Sequence, residues 1–166
     1  MAKLTLKGSP ISTNGELPKV GSPAPDFHLV DVDLNDVRLA DFKGTKKLLN
    51  IVHSLDTGVC ATSAKKFNDF AKTRSDVIVL TISADLPFAQ KRFCTAEHID
   101  NVKTLSMMRS RNFAKDYGVL IQDGKLAGIP ARSVVVLDES DKVLYTEQLQ
   151  EVTNEPNYDA AIAALK

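Results

Sequence analysis

Neither sign of charge prevails in this sequence. Its 166 residues hold 21 Lys and Arg against 21 Asp and Glu, so no global basic field draws the chain onto nucleic acid or anionic lipid, and neither is expected as a partner. No apolar run approaches the roughly 18 residues that span a bilayer, and residues 1–21 lack the apolar core of a secretory leader. A soluble, cytoplasmic protein is the expectation. G-x-G-x-x-G, Walker and H-E-x-x-H motifs are missing, and His28, His53 and His98 stand at no metal-ligand spacing with one another or with the cysteines. Nucleotide and zinc readings therefore have no motif behind them, and each histidine reads as structural or exposed. Cysteine is scarce as well. Cys60 and Cys94 are the only two, too few for a disulfide scaffold and without C-x-x-C spacing. They are either inert core residues or one redox pair.

What is present is an ordinary core-forming composition, 43% hydrophobic and 25% charged, which fits one domain over residues 1–166. Within it the stretch L-L-N-I-V-H-S-L-D-T-G-V-C, residues 48–60, organises the rest. An apolar run enters a polar turn containing glycine, and a cysteine follows where helical periodicity begins. The pattern is strand, turn, helix N-terminus. Such a terminus presents unpaired N–H groups and a positive dipole end, which stabilise a thiolate. Cys60 is therefore the candidate nucleophile, against the general tendency of free cysteines to act as small buried hydrophobes.

Leu4 and Leu6 alternate with polar residues before Gly8-Ser9-Pro10, so residues 1–16 form an N-terminal β-hairpin extension. Pro18, Pro23 and Pro25 keep the following segment extended. Residues 27–32 and 37–39 are short strands about a polar turn. Residues 48–52 form a strand buried on both faces, and the helix after Cys60 packs Ala64, Phe67, Phe70 and Ala71 on one side. Residues 77–82 repeat the continuous apolar strand pattern. Ser83-Ala84-Asp85 reads as the cap of a second helix, which has Pro87 in its first turn and carries Phe88, Phe93 and Cys94. A strand at 102–106, a helix at 112–117 closed by Gly118, a hairpin of 134–137 with 143–146, and a final amphipathic helix complete the chain. Thr153 or Asn154 is the expected cap of that last helix, with Pro156 in its first turn. Alternating β and α units before a terminal hairpin and helix make an α/β, thioredoxin-like fold.

Several side chains near this framework have chemistry to offer. Thr57 lies within one turn of Cys60, where its hydroxyl reaches the sulfur and a bound oxygen substrate, or simply caps the helix. Asp56 reads as a cap or turn residue. Arg132 precedes the apolar run 134–137, at the mouth of a central strand, where it either stabilises a thiolate or is a solvated flanking residue. Arg109 has weaker support. Cys94 is either a buried thiol or the partner of Cys60.

At these residues the chain resembles the peroxiredoxins, specifically the bacterial thiol peroxidase branch of atypical 2-Cys type, over essentially its whole length. The matching stretches are S-L-D-T-G-V-C at 54–60, I-S-A-D-L-P-F-A-Q-K-R-F-C at 82–94 and A-R-S-V-V-V-L-D at 131–138. The resemblance implies a thioredoxin-like, peroxiredoxin-type fold with an N-terminal hairpin, no metal or organic cofactor, and a homodimer. It implies that Cys60 is the peroxidatic cysteine, oxidised by hydrogen peroxide or an alkyl or lipid hydroperoxide to a sulfenic acid. Cys94 is then the resolving cysteine, which closes an intramolecular disulfide that thioredoxin reduces. Thr57 and Arg132 match the residues that hold the substrate oxygens and activate the thiolate, and Arg109 matches a second arginine near the pocket. One position departs from the pattern P-x-x-x-T-x-x-C, for His53 stands in the place of the proline. Its consequences range from a looser, wetter pocket or a titratable ring near the sulfur to none at all. Beside the peroxidase, the sequence leaves open a redox relay that passes its disulfide to a partner, and a module in which His53 has cost the chemistry.

Overall fold

The two continuous apolar runs become the middle of a sheet because neither has a polar face to turn outward. The computed structural model describes residues 1–166. A first hairpin pairs β1 (Lys3–Leu6) with β2 (Ser9–Ser12). The main sheet comprises β3 (His28–Val30), β4 (Asp36–Arg38), β5 (Lys46–Ile51), β6 (Val77–Ser83), β7 (Lys103–Ser106), β8 (Ser133–Leu137) and β9 (Val143–Gln148). Their spatial order is β4-β3-β7-β6-β5-β8-β9. β5 and β6 run parallel, as do β6 and β7, while β8 lies antiparallel to β5 on its other side. The central strands thus end together, and the loops after β5 and β6 emerge side by side.

Alternation along β5 and β6 divides the core between two faces. On one face Leu48, Val77, Val79, Val134 and Val136 meet Phe67 of α1 (Gly58–Ala71) and Ala161 of α4 (Tyr158–Ala163). On the other, Leu49, Ile51, Leu80, Ile82 and Leu105 meet Phe113 and Tyr117, in and after α3 (Asn112–Asp116). Gly118 closes α3 at φ +70, and the backbone of Glu16 passes so close that a Cβ would stand 2.1 Å from its carbonyl oxygen. Only glycine fits that crossing. α2 (Pro87–Ala96) follows β6. No helix is long and apolar enough to cross a membrane.

Two helix starts differ from the sequence reading, because a side chain expected to cap a helix is used elsewhere, and at a third the cap position agrees but the capping bond is missing. Ser83 and Asp85 do not cap α2; Leu86 occupies the N-cap position with no side-chain bond, and Pro87 follows at the first helical position. Thr57 sits at the N-cap of α1 and Asp56 in the turn before it, one of the two readings the sequence offers for each, but the Thr57 hydroxyl makes no capping bond. α4 begins at Tyr158, capped by Asn157, whose side chain accepts from the Ala160 N–H. Thr153 cannot start it, for its hydroxyl donates to Glu151 Oε1 at 2.8 Å and holds the chain toward the first hairpin.

Candidate active site

β5 delivers the chain to Val52, whose N–H continues the ladder to the Ile82 carbonyl at 2.9 Å. Beyond it the loop 53–57 is pinned from the neighbouring turn. The Asp85 carboxylate accepts from Ser54 Oγ at 2.7 Å, from the Leu55 N–H at 2.8 Å and from Ser83 Oγ at 2.7 Å. Ser54 Oγ in turn accepts from the Asp56 N–H at 3.1 Å. Thr57 is extended at φ −121, and its hydroxyl donates to the Ser54 carbonyl at 3.0 Å. This tight turn brings Cys60 into the first turn of α1, fully buried.

Arg132 reaches the sulfur from the other side of β5. It directly precedes β8, which pairs with β5, and its side chain is 1% exposed. Nη2 donates to Cys60 Sγ at 2.9 Å, Nε donates to the Val152 carbonyl at 2.9 Å, and Nη1 has no hydrogen-bond partner. No carboxylate forms a salt bridge with it. A buried guanidinium demands a counter-charge, and the atom in place to supply it is the sulfur.

His53, 7% exposed, fills the remaining side. Its Nε2 and Nδ1 lie 3.8 and 3.9 Å from Sγ, and Nε2 lies 3.5 Å from Thr57 Oγ1. Burial alone would push the Cys60 thiol up. The hydrogen bond and charge of His53, the charge of Arg132 and the Thr57 hydroxyl outweigh it and bring the thiol down to about 7. For Cys94 the balance is opposite: burial pushes that thiol up, opposed only by a hydrogen bond with Thr104. One cysteine is prepared as an anion and the other as a thiol.

Both cysteines are free. They nonetheless share one small apolar cluster, in which Val52, Leu55, Cys60, Ala64 and Ile99 pack against Phe93 and Cys94. A cleft of about 360 Å3 separates the Cys60 loop from α2, bounded by Leu55, Asp56 and Asp85 on one side and Ala89, Arg92 and Phe93 on the other. Cys94 itself opens onto a second cavity of about 490 Å3 with Lys91, His98 and Lys103. Arg109 stands apart from the Cys60 group. Its half-exposed guanidinium donates to Asp36 Oδ1 at 2.6 Å and to the Leu34 carbonyl at 3.2 Å, beside a groove lined by Leu86 and Met108.

One residue in this arrangement, Asp85, escapes the sequence reading of the site, and a second, His53, is read only in part, a titratable ring near the sulfur being one of several consequences its place in the pattern allows. His53 was legible only as a departure from a pattern, since nothing in its neighbours fixes the ring against Cys60. Asp85 reads locally as a helix cap, and no local signal reveals that its acceptors serve another loop.

A thioredoxin-like sheet that presents an activated thiol at a helix N-terminus, against an arginine from the adjacent strand, defines a thiol-based redox enzyme. Comparison with known proteins narrows this. The redoxin family model matches residues 19–162. A thiol peroxidase of Corynebacterium glutamicum is 50% identical over 165 residues, covering 99% of both chains. Among solved structures, a peroxiredoxin-like protein from Aquifex aeolicus superposes with a TM-score of 0.92 at 42% identity, over 98% of this chain and 95% of that one. A thiol peroxidase from Chromobacterium violaceum gives 0.91 at 26% identity, over 98% and 94%. The chain belongs to the redoxin family, as a peroxiredoxin enzyme of the thiol peroxidase branch.

Proposed function

We propose that this peroxiredoxin reduces hydrogen peroxide and organic hydroperoxides, alkyl and lipid ones included, through Cys60, with Cys94 as the resolving cysteine and thioredoxin as the cytoplasmic reductant. The observation behind the site assignment is the 2.9 Å bond from Arg132 Nη2 to Cys60 Sγ, made by a buried guanidinium without a carboxylate partner. Arg132 holds the sulfur as a thiolate. Its unpartnered Nη1 is free to donate to one peroxide oxygen, and the Thr57 hydroxyl, whose own proton goes to the Ser54 carbonyl, accepts from the hydroperoxide O–H. A peroxide so held has its O–O bond in line with the sulfur and hydrogen-bond donors where negative charge develops. The sulfur forms an S–O bond as the O–O bond breaks, leaving a sulfenic acid at Cys60 and an alcohol or water. Cys94 then attacks Cys60, water departs, and a disulfide joins the two. The cleft beside Leu55 and the shared apolar cluster support that step, since unwinding the first turn of α1 carries Cys60 toward α2. Thioredoxin reverses the bond by thiol exchange.

Arg109 enters this reading at the rim, where Asp36 holds it beside Leu86 and Met108. Leu86 and Met108 are exposed in the groove beside Arg109, Phe88 on α2 is 63% exposed as well, and exposed apolar side chains of this size support a homodimer. Phe88→Asp is expected to shift the protein to a monomer in light scattering while Cys60 oxidation persists.

The test is stopped-flow consumption of cumene hydroperoxide by the reduced protein, with thioredoxin and its reductase. Rapid turnover lost in Cys60→Ser is the expected result. Cys94→Ser should still consume one equivalent of peroxide and then stall. A wild type that leaves cumene hydroperoxide and hydrogen peroxide untouched would overturn the reading.

A further inference from the structure

We infer that His53 is a catalytic acid of this enzyme, holding the proton released from Cys60 and delivering it to the leaving oxygen of the hydroperoxide. The inference rests on the peroxidase reading above and adds to it the fate of the proton. His53 encloses the sulfur opposite a fixed cation: both ring nitrogens lie within 3.9 Å of Sγ, and Nε2 also lies 3.5 Å from Thr57 Oγ1. No carboxylate is hydrogen-bonded to the ring, so the Cys60 sulfur is its counter-charge. The other charged groups around the site are otherwise engaged. Arg132 is bound to Sγ and to the Val152 carbonyl. Asp85 is bound to Ser54, Leu55 and Ser83. Glu155 and Tyr158 are bound to each other, with Glu155 also paired to Lys66, and both feel the Arg132 charge.

Thiolate, hydroperoxide and imidazolium go to sulfenic acid, alcohol and neutral imidazole. The sulfur pair forms the S–O bond and the O–O bond breaks. Sulfur is oxidised by two electrons, the peroxide is reduced by two, and the alkoxide takes the proton from His53. The timing is built into the charges. While sulfur is an anion it lies between two cations and holds both; once the S–O bond forms, that anion is gone and the imidazolium is left in repulsion with Arg132. Transfer of its proton is then favoured at the moment the leaving oxygen needs it. A proline at this position has no proton to give.

The test compares wild type with His53→Gln and His53→Pro across hydroperoxides of different leaving groups. tert-Butyl hydroperoxide expels a strongly basic alkoxide, whereas peracetic acid expels acetate, which needs no proton at neutral pH. Single-turnover oxidation of Cys60 should fall about 100-fold with tert-butyl hydroperoxide in both variants and change less than about threefold with peracetic acid. Equal losses with both oxidants would assign His53 to positioning alone and overturn the inference, as would unchanged rates with both. Should His53→Gln fail to fold, as judged by circular dichroism, His53→Pro makes the same comparison with the residue of the P-x-x-x-T-x-x-C pattern. Failure of the peroxidase reading looks different, since wild-type Cys60 would then react with neither oxidant.

Discussion

At Cys60 the free energy of burial and the free energy of charge oppose each other, and the site's chemistry depends on which prevails. Burial favours the thiol, while His53, Arg132 and Thr57 favour the thiolate, and the result is a group that titrates at about 7. Its folded value is below that of an unfolded cysteine, about 8.5. The resulting stabilisation, on the order of 2 kcal/mol, is therefore fully present above about 8.5 and is lost as pH falls through about 7. The stability gap between the reduced wild type and Cys60→Ser, measured by urea unfolding, should accordingly widen from pH 6 toward about pH 9. Peroxide reactivity should drop with the same sign on acidification. Removing the guanidinium with Arg132→Met is expected to move that acid limb upward and to lower the oxidation rate by about 100-fold or more, the usual loss when a buried donor to developing charge is deleted. Ultraviolet titration of the thiolate checks the first effect and stopped-flow fluorescence the second. Cys60 carries a local signal, a cysteine at a helix start, whereas for Thr57 and Arg132 the residues alone leave a plain cap and a solvated flanking arginine open, and the family resemblance is what singles them out. The placement of the His53 ring depends on the path of residues 53–57, which long-range contacts decide.

Elements, rather than residues, determine how firmly this site is held. The loop after β5 and the turn after β6 are neighbours because the two strands are parallel and adjacent, and Asp85 fastens one to the other. The sequence makes Ser83-Ala84-Asp85 look like the cap of the helix that follows, whereas Asp85 accepts from a hydroxyl and an N–H in the loop that leads to a different helix start. The helix start in question belongs to α1, not to the helix that follows in the chain, and only the sheet order reveals that. Asp85 also governs the proposed rearrangement, since its bonds to Ser54 and Leu55 must loosen before the first turn of α1 unwinds toward Cys94. Asp85→Ala removes all three acceptor contacts and leaves the Leu55 N–H without its partner. The expected loss is about 2 kcal/mol, seen as a fall of several degrees in Tm. Under the disulfide mechanism the same variant should form the Cys60–Cys94 bond faster once Cys60 is oxidised, by rapid-quench mass spectrometry. A slower closure would show that Asp85 helps to form the rearranged state rather than resisting it.

Across the whole molecule, the first hairpin is a separate sheet docked on the catalytic body by backbone bonds and by two carboxylates, Glu151 and Asp123, the latter accepting from the Ser12 N–H and Oγ, both at 2.7 Å. β1 and β2 form their own two-stranded sheet, whose Leu4 and Ile11 pack with Ile121, Ala131 and Val152 of the body. Val152 also offers its carbonyl to Arg132, so the hairpin lies one residue from the support of the active-site guanidinium. Glu151, next in the chain, accepts from Thr5 Oγ1 at 2.6 Å, from the Lys7 and Gly8 N–H groups at 2.9 and 3.1 Å, and from Thr153. The hairpin itself was readable from its alternation and its Gly8-Ser9-Pro10 turn. Its docking was not, because Glu151 lies at the far end of the sequence and reads there as an ordinary surface residue. These bonds hold the Glu151 carboxyl at about 2, with the Thr5 hydroxyl as the largest cause. An acid depressed in the folded state contributes its support above the unfolded value of about 4.3 and withdraws it as pH falls toward 2. Glu151→Gln keeps the shape but weakens acceptance from the two N–H groups. Hydrogen exchange of the Lys7 and Gly8 amides should therefore quicken at neutral pH in Glu151→Gln, and in the wild type only on acidification below about 4, while the amides of β5 and β6 stay protected in both. If the hairpin and body form one cooperative unit, as the composition of the chain predicts, the variant will still unfold in a single transition at a lower midpoint. An early separate transition confined to residues 1–16 would instead make the hairpin an independently detachable clasp, and Arg132, supported through Val152, would then report its release as a rise in the pH at which Cys60 becomes reactive.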